Sequence, residues 1–262
     1  GPDMSYNQLM EAINRLQAQL VQQGNLQAQE TLAIVAPNGL PFLVVFLSCA
    51  TARAKVSPLN PAYGVPEFSF YLKDTEAKAL LILKEWDNHL AREAASDLNI
   101  PVWEICSEGI NVSLEIPNSG DVSDELPPFI QPEESDTALF LHTSGTTSTP
   151  KGVPLTHLNI CTSIQNIANT YELTSCDVSY IVMPLFHVHG LIGGTLSTLH
   201  SMGSVVVPEK FSATSFWGDV VRYGVTWYTA VPTIHQILLI RNETEAMPEG
   251  VKLRFIRSCS SS

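Results

Sequence analysis

The chain has 262 residues, of which 45% are hydrophobic and 15% charged, so it can bury a core of ordinary size. Its formal net charge of -12 argues against nucleic acid as a primary partner, because nonspecific binding requires Lys and Arg to neutralise phosphates. The sequence contains no run of 18 uncharged apolar residues, so no membrane span is predicted. Its five cysteines are scattered without a CxxC pair, which favours reduced thiols over a zinc site.

The first part of the chain alternates between helical and strand patterns. Residues 1–4 are interpreted as the remnant of a cleaved expression tag. A first helix is predicted from apolar residues at helical spacing, namely Leu9, Ile13, Leu16 and Leu20. A strand over 31–36 follows, and then a helix that Asn38 caps and that ends at Arg53. Strands over 79–83 and 101–105 enclose another helix, which is the rhythm of a parallel α/β sheet.

An acidic segment interrupts this pattern. Residues 107–136 include eight acidic residues, no Lys or Arg, and several Pro and Gly, which predicts an exposed connection. The predicted organisation is therefore a first α/β subdomain over about 5–106, the acidic connection over about 107–136, and a second subdomain over about 137–262.

The alternation resumes after the connection. A strand over 138–141 enters a polar loop, and the helix that follows has an apolar face made of Ile160, Ile164, Ile167, Ala168 and Tyr171. The remaining predicted elements are strands over 180–183, 204–207, 225–230 and 253–256, and helices over 191–199, 214–223 and 233–241. The strand predicted over 253–256 is followed only by residues 257–262, with no terminal helix, so a truncated domain is expected.

The polar loop has a chemistry that suits a polyphosphate. Its residues are Thr143, Ser144, Gly145, Thr146, Thr147, Ser148, Thr149, Pro150, Lys151 and Gly152. Hydroxyl and backbone N–H groups can form a concave anion site, Gly145 permits close approach, and Lys151 supplies a point charge. A Walker A loop fits poorly, because Pro150 precedes the lysine and Gly152 follows it. A Ser/Thr-rich surface loop is the competing interpretation.

Two histidines follow the strand predicted over 180–183. His187 and His189 lie where side chains of an α/β sheet often form a site, although an isolated histidine there is more often structural. A His-x-His pair can bind a metal, but no carboxylate or cysteine lies nearby in sequence, so no metal site is predicted.

The segment from Trp227 to His235 predicts a strand leading into a helix with Pro232 in its first turn. Trp227 and Tyr228 are expected to pack in the core. His235 is expected to be structural.

The polar loop resembles the signature of the acyl-adenylate-forming (AMP-binding) superfamily of acyl-CoA synthetases, adenylation domains and firefly luciferase. Its usual form is Thr-Ser-Gly-Thr-Thr-Gly-x-Pro-Lys-Gly, and Ser148 replaces the second glycine. The resemblance implies a partial large N-terminal domain of the acyl-CoA synthetase/luciferase fold, with mostly parallel sheets flanked by helices and without the small C-terminal domain. It also implies that residues 143–151 bind ATP, that Mg²⁺ arrives with ATP, and that coenzyme A is a co-substrate.

Residues 252–260 are similar to the subgroup that contains plant oxalyl-CoA synthetase and the yeast peroxisomal AMP-binding synthetase. This chain and the subgroup carry Arg-Ser-Cys-Ser, here residues 257–260, where most relatives in the superfamily carry Ser-Gly-Ala-Ala-Pro-Leu. The resemblance implies that His187 and Ser260 contact the substrate carboxylate, with His189 a weaker candidate, and that Lys151 neutralises charge. Lys151 and His187 are therefore the candidate catalytic residues. A hydroxyl and an imidazole in one pocket suit a small, doubly charged acid.

The resulting expectation is an oxalate–CoA ligase of oxalate catabolism, located in the cytoplasm or the peroxisome. The family's adenine, ribose and C-terminal lysine contacts are not found in the sequence, so the chain alone is expected to be inactive. Two alternatives remain open: a ligase for another short dicarboxylic or medium-chain acid, and a non-catalytic nucleotide-binding or interaction module.

Overall fold

A computed structural model describes residues 3–86, 88–117, 119–120, 131–143, 150–245 and 247–259. The chain divides into two units. Unit 1 comprises residues 1–36 and 40–160, and unit 2 comprises residues 37–39 and 161–262.

Unit 1 contains, within its described residues, a seven-stranded sheet of order β5-β4-β3-β1-β2-β6-β7. Its strands are β1 (Thr31–Val35), β2 (Lys55–Pro58), β3 (Ala77–Leu83), β4 (Val102–Glu108), β5 (Asn111–Glu115), β6 (Thr137–Thr143) and β7 (Lys151–Thr156). The five inner strands pair in parallel, whereas β5 and β7 pair antiparallel at the two edges. The helices are α1 (Tyr6–Gln22), α2 (Leu40–Thr51), α3 (Val65–Asp74) and α4 (His89–Asp97).

Unit 2 contains, in the part of the chain that is described, a four-stranded parallel sheet of order β11-β10-β8-β9. Its strands are β8 (Val178–Ile181), β9 (Ser204–Val206), β10 (Trp227–Ala230) and β11 (Phe255–Ser258). Helix α5 (His157–Thr170) crosses the division between the units. The others are a π-helix (His189–Leu196), α6 (Ser197–His200), α7 (Phe216–Arg222) and α8 (Pro232–Thr244).

Local signals in the sequence explain where several elements begin. Ser5 starts α1 with a capping box, since its Oγ accepts from the Gln8 backbone N–H at 3.3 Å and Gln8 Oε1 accepts from the Ser5 N–H at 2.9 Å. All five residues of β1 are buried, as expected for an inner strand covered on both faces. The predicted α/β class with mostly parallel sheets is confirmed.

The core of unit 2 is largely aromatic. Phe216 is fully buried, and the rings of Tyr180, Trp217 and Tyr228 meet it edge to face with centroid distances of 5.4, 4.9 and 4.9 Å. The buried ring of Trp227 stacks on Phe255 at 5.0 Å. The prediction that Trp227 and Tyr228 pack in the core is confirmed.

The predicted helix cap at Asn38 is wrong. Helix α2 begins at Leu40, and the Asn38 carboxamide is used elsewhere in unit 2: its Nδ2 donates to the Met183 carbonyl at 3.1 Å and its Oδ1 accepts from the Leu185 N–H at 2.8 Å. The helix also ends at Thr51 rather than at Arg53. Arg53 has a left-handed φ of 64°, which no helix interior accommodates.

The prediction of an exposed connection from Ser107 is wrong for its first part. Strand β4 extends to Glu108, and residues 111–115 form β5, whose Val112 and Leu114 are buried while their neighbours are exposed. This alternation of buried and exposed residues is typical of a strand, but the acidic composition of the segment led to the prediction of a connection. Strand β6, predicted to open the second subdomain, joins the sheet of unit 1, and the units divide after Ile160.

The sequence analysis also missed three elements, one of which, β7, begins inside the predicted polar loop. Strand β2 has only four residues and ends in Pro58, and a strand this short gives little periodic signal. Helix α3 carries Pro66 in its first turn and follows a glycine N-cap, a combination that composition alone favours as a turn.

Arg53 and Asp136 connect distant parts of unit 1. Arg53 Nε donates to Asp136 Oδ2 at 2.7 Å and its Nη2 donates to Oδ1 at 3.1 Å, while the Glu133 N–H donates to the same carboxylate at 2.8 Å. The carboxylate is 6% exposed. The hydrogen bond from Arg53 is the main cause of the lowered pKa of Asp136. This pairing fixes the end of α2 against the start of β6.

We expect Asp136→Asn to lower the free energy of unfolding by about 1–3 kcal/mol at pH 7, because an amide NH₂ would face an N–H donor in a buried position. A carboxyl whose pKa is lowered on folding stabilises the fold above its usual pKa of 3.8, and this contribution disappears as the pH falls through the folded pKa. The variant should therefore lose less stability on acidification, as urea unfolding at several pH values would measure.

Glu133→Gln is the control for this prediction. Glu133 also accepts from Arg53, at 2.8 Å, but its side chain is 65% exposed, so its pairing contributes little. An acid dependence of Asp136→Asn equal to that of the unsubstituted chain would contradict the role of this carboxylate.

Candidate functional site

The polar loop connects two paired strands. Thr143 ends β6 and Lys151 begins β7, and they are directly opposite each other in the antiparallel ladder. Opposed residues of such a ladder have Cα atoms about 4.5–5.5 Å apart, so the two ends of the loop lie side by side. Six of the predicted phosphate-binding residues, Ser144 to Thr149, lie outside the described residues. Pro150 is half-buried, and Thr143 and Lys151 are exposed.

Lys151 belongs to a strand rather than to the loop that the sequence predicted. Its backbone is held by β6, while its side chain is exposed. Within the described ranges, no carboxylate forms an ion pair with its ammonium group. The charge is therefore available to an anion at the mouth of the loop.

Gly152 is required by the ring of Phe140 on the neighbouring strand. A Cβ at residue 152 would lie 2.6 Å from Phe140 Cζ and 2.8 Å from Phe140 Cε1, well inside van der Waals contact. The Phe140 ring in turn packs against His142, with centroids 5.4 Å apart, so moving the ring aside would disturb this contact. The last glycine of the signature thus permits the strand pairing that brings the two ends of the loop together.

His142, the residue before the loop, is a buried histidine with a carboxylate partner. Its side chain is 5% exposed, and its Nε2 lies 2.8 Å from Oδ2 of Asp74, the last residue of α3. The Tyr71 ring lies against it at 4.6 Å. The sequence analysis missed both residues; the available signal was a histidine within an apolar strand directly before a polar loop. Their pairing ties the first strand of the hairpin to α3.

The histidine segment of unit 2 folds back onto itself. The His187 N–H donates to the Pro184 carbonyl at 3.2 Å, and a Cβ at Gly190 would lie 2.3 Å from that same carbonyl oxygen. Asn38 holds the other side of the turn through Met183 and Leu185. These contacts fix the backbone while the His187 side chain stays exposed. Partial loss of hydration lowers the pKa of His187.

His189 begins the π-helix and is held by a hydroxyl. Its Nε2 lies 2.6 Å from Thr229 Oγ1, and Arg257 Nη1 donates to the same oxygen at 3.4 Å. Burial, and then the charges of Arg257 and the nearby histidines, lower the pKa of His189 to about 4. The ring is therefore neutral at pH 7. Because the guanidinium can only donate, Thr229 has its own proton free to give to Nε2, which favours the tautomer protonated at Nδ1.

Ser260 and His235 are the other predicted residues of unit 2. Ser260 lies outside the described residues, but Cys259 directly before it continues the β11 ladder, with its N–H donating to the Ala230 carbonyl at 3.1 Å. His235 lies in the first turns of α8 with Nδ1 3.3 Å from the Tyr228 hydroxyl, in agreement with a structural role. Arg257, to which the sequence analysis gave no role, contacts Thr229 and Cys259.

The described part of the chain holds neither a metal-binding cluster nor a membrane-spanning helix. No three His, Cys, Asp or Glu side chains there lie close enough together to hold a metal ion. None of the helices in those ranges combines the length and apolarity needed to cross a membrane.

The two α/β units and the pairing of Thr143 with Lys151 are the features that a comparison with known proteins has to explain. The family model described as AMP-binding enzyme matches residues 1–261, so the chain belongs to the AMP-binding enzyme family. The chain is 46% identical to the oxalate–CoA ligase of Arabidopsis thaliana, covering 99% of this chain and 51% of that protein. It is 44% identical to the oxalate–CoA ligase of Saccharomyces cerevisiae, covering 91% and 47%.

A solved structure supports the same assignment. ATP-bound MatB from Rhodopseudomonas palustris superposes with a TM-score of 0.82 at 26% identity, over 100% of this chain and 50% of that one. The chain spans about half the length of the curated relatives that it matches. The resemblance to the acyl-adenylate-forming superfamily is confirmed.

We expect Gly152→Ala to destabilise the chain by about 1–3 kcal/mol, because the new Cβ overlaps the Phe140 ring and this ring is held by its neighbours. Gly218→Ala is the matched control. Gly218 is an exposed helical glycine, and a Cβ added there would have no other atom within 4 Å, so its replacement should stabilise α7 by up to about 1 kcal/mol. Urea unfolding measures both variants, and a Gly152→Ala chain as stable as the parent would refute the steric argument.

Proposed function

We propose that this chain supplies the ATP-phosphate loop and the acid-binding side of an ATP-dependent carboxylate–CoA ligase, with oxalate as its acid. The observation that carries the proposal is the 46% identity to an oxalate–CoA ligase across 99% of the chain, together with a signature loop whose ends are paired at Thr143 and Lys151. Because the matched relatives are about twice as long, the activity belongs to the whole protein.

In the first chemical step, a carboxylate oxygen of the acid attacks the α-phosphorus of ATP. The bond from that phosphorus to the bridging oxygen breaks, and pyrophosphate leaves with the electron pair. Residues 143–151 would hold the β- and γ-phosphates through hydroxyl and N–H groups, while Lys151 offsets the charge that develops on the leaving group. Mg²⁺ would arrive bound to ATP, which is how this ion commonly reaches phosphate sites.

In the second step, the coenzyme A sulfur attacks the acyl carbonyl of the adenylate. The C–O bond to AMP breaks, the thiol proton is lost, and the acyl-CoA thioester and AMP are released. Neither step requires a covalent bond to the protein, so positioning and charge stabilisation are the contributions expected of the chain. Lys151 is thus a charge-stabilising residue rather than a nucleophile.

The acid would be positioned by His187 and Ser260. A neutral imidazole donates one hydrogen bond through its N–H without placing a full positive charge beside the carboxylate. Because the pKa of His187 is lowered, this neutral form prevails at pH 7. The carboxylate is then oriented while it keeps the electron density that it needs as a nucleophile.

The second candidate is a ligase for another short dicarboxylic or medium-chain acid; a sulfoacetate–CoA ligase from Cupriavidus necator is 32% identical to this chain and supports a small anionic acid of a different kind. A non-catalytic nucleotide-binding or interaction module is the third. A location in the cytoplasm or the peroxisome stays a prediction, as does the inactivity of the 262-residue chain on its own.

The substrate is tested by coenzyme A-dependent AMP release from the full-length protein with oxalate, malonate, hexanoate and coumarate in parallel. We expect oxalate to give the highest kcat/KM, with the present chain as the blank. Preference for another acid would leave the ATP loop in place and remove the assignment to oxalate. If no acid released AMP, the non-catalytic module would replace the ligase.

We expect Lys151→Ala in the full-length protein to slow pyrophosphate formation about 100-fold, the effect of removing one group that stabilises transition-state charge. ATP–pyrophosphate exchange at limiting ATP measures this step separately from thioester formation. Lys210→Ala, which removes an exposed lysine of unit 2, is the control for net charge. Unchanged exchange in Lys151→Ala would sink the assignment of this residue.

A further inference from the structure

Arg257 is a half-buried cation that no described carboxylate pairs with. Its polar contacts are Nη1 to Thr229 Oγ1 at 3.4 Å and Nη2 to Cys259 Sγ at 3.6 Å. The Tyr171 ring lies 5.8 Å from its guanidinium carbon. Hydroxyl and thiol groups at these distances are weak acceptors for a full positive charge. The guanidinium therefore keeps most of its donor capacity for another group.

Arg254, three residues earlier on the chain, shows how this unit pairs a structural arginine. Its guanidinium donates to the Asp177 carboxylate at 3.0 and 3.1 Å and to the Tyr171 carbonyl at 2.9 Å. Asp177 is itself buried and bonded to Thr226. Nothing comparable surrounds Arg257 among the described residues. Removing a cation from water without a counter-charge is costly in free energy. The contrast between the paired Arg254 and Arg257 therefore indicates that Arg257 faces an anion that is not one of the described residues.

The place of Arg257 is next to the residues proposed to bind the acid. It is opposite Thr229 in the pairing of β10 with β11, and Thr229 contacts His189, two residues after His187. At the other end of the cluster, the guanidinium touches Cys259, the residue before Ser260. The chain segments that carry both proposed carboxylate contacts thus converge on Arg257.

The π-helix leaves space for the guanidinium. A Cβ at Gly193 would lie 3.0 Å from Arg257 Nη1, and one at Gly194 would lie 3.4 Å from Thr229 Cγ2. Two adjacent glycines weaken a helix, and π-helical turns occur frequently at functional sites. The loss of helix stability at Gly193 and Gly194 is explained if the π-helix must approach the sheet closely while the guanidinium of Arg257 lies between them.

We propose that Arg257 binds the second carboxylate of a short dicarboxylic acid, the one that is not activated. This inference rests on the proposed function and adds the residue that selects a dicarboxylic over a monocarboxylic acid. A guanidinium presents parallel N–H groups that match the two oxygens of a carboxylate. Thr229 and the neutral His189 hold the cation without neutralising it, so a monocarboxylic acid would leave it unpaired and bind poorly.

The test compares oxalate with oxamate, in which an amide replaces the second carboxylate, in the full-length protein. We expect the parent enzyme to prefer oxalate by about 100-fold or more in kcat/KM, in line with sites built to pair a polar substrate group. In Arg257→Met the preference should fall to about 3-fold or less, chiefly through a higher KM for oxalate, with the KM for ATP unchanged. Arg241→Met, which removes a half-buried arginine that is paired with Glu245, should retain the parent ratio.

A purely structural role for Arg257 would lower both kcat/KM values by the same factor and leave their ratio unchanged, which would overturn the inference. If Arg257→Met does not fold, Arg257→Lys carries the test, because it keeps the charge and loses the planar fork; its ratio should fall about 10-fold, and an unchanged ratio would again overturn the inference. If malonate is the better acid, malonate and its monoamide replace the pair. A parent enzyme that activates no dicarboxylic acid would instead contradict the proposed function itself.

Discussion

The antiparallel pairing of β6 with β7 is the constraint on which the proposed phosphate loop depends. Because β6 also pairs in parallel with β2, it anchors the hairpin in the seven-stranded sheet of unit 1. A loop rich in small residues loses much conformational entropy when it closes around an anion. Holding Thr143 beside Lys151 reduces that loss in advance, and the contacts around Phe140 and Gly152 follow from the same need for close strand approach.

Unit 2 differs in that it holds polar groups beside its sheet without a described carboxylate that would neutralise the charge of Arg257. The Thr229 hydroxyl contacts the guanidinium of Arg257 on one side and the neutral imidazole of His189 on the other. Burial, and after it the charge of Arg257, lowers the pKa of the imidazole and keeps it neutral, and the hydroxyl can serve both neighbours because it donates and accepts. The proposed binding of an anion would benefit from such a network, since its dipoles are oriented before any ligand arrives.

The two units carry different kinds of information about function. The loop of unit 1 matches a signature shared across a superfamily whose members act on unlike acids, so it indicates ATP and leaves the acid open. The proposed choice of oxalate depends instead on side chains of unit 2, namely His187, Arg257 and Ser260. The family model matches residues 1–261, which establishes the family, and the chain spans about half of each relative.

The sequence by itself determined the α/β class, most helices and strands, and the superfamily, because periodicity and a long ordered motif are local signals; the phosphate-binding role of the loop stays a prediction. It failed where composition hid a local pattern, as in β5, and where a side chain served a distant segment, as Asn38 does for the turn at Pro184. Only the tertiary structure decided that His142 meets Asp74 and that Arg257 lacks a carboxylate among the described residues. Ion pairing between residues far apart along the chain depends on how strands and helices pack, and no local pattern records it.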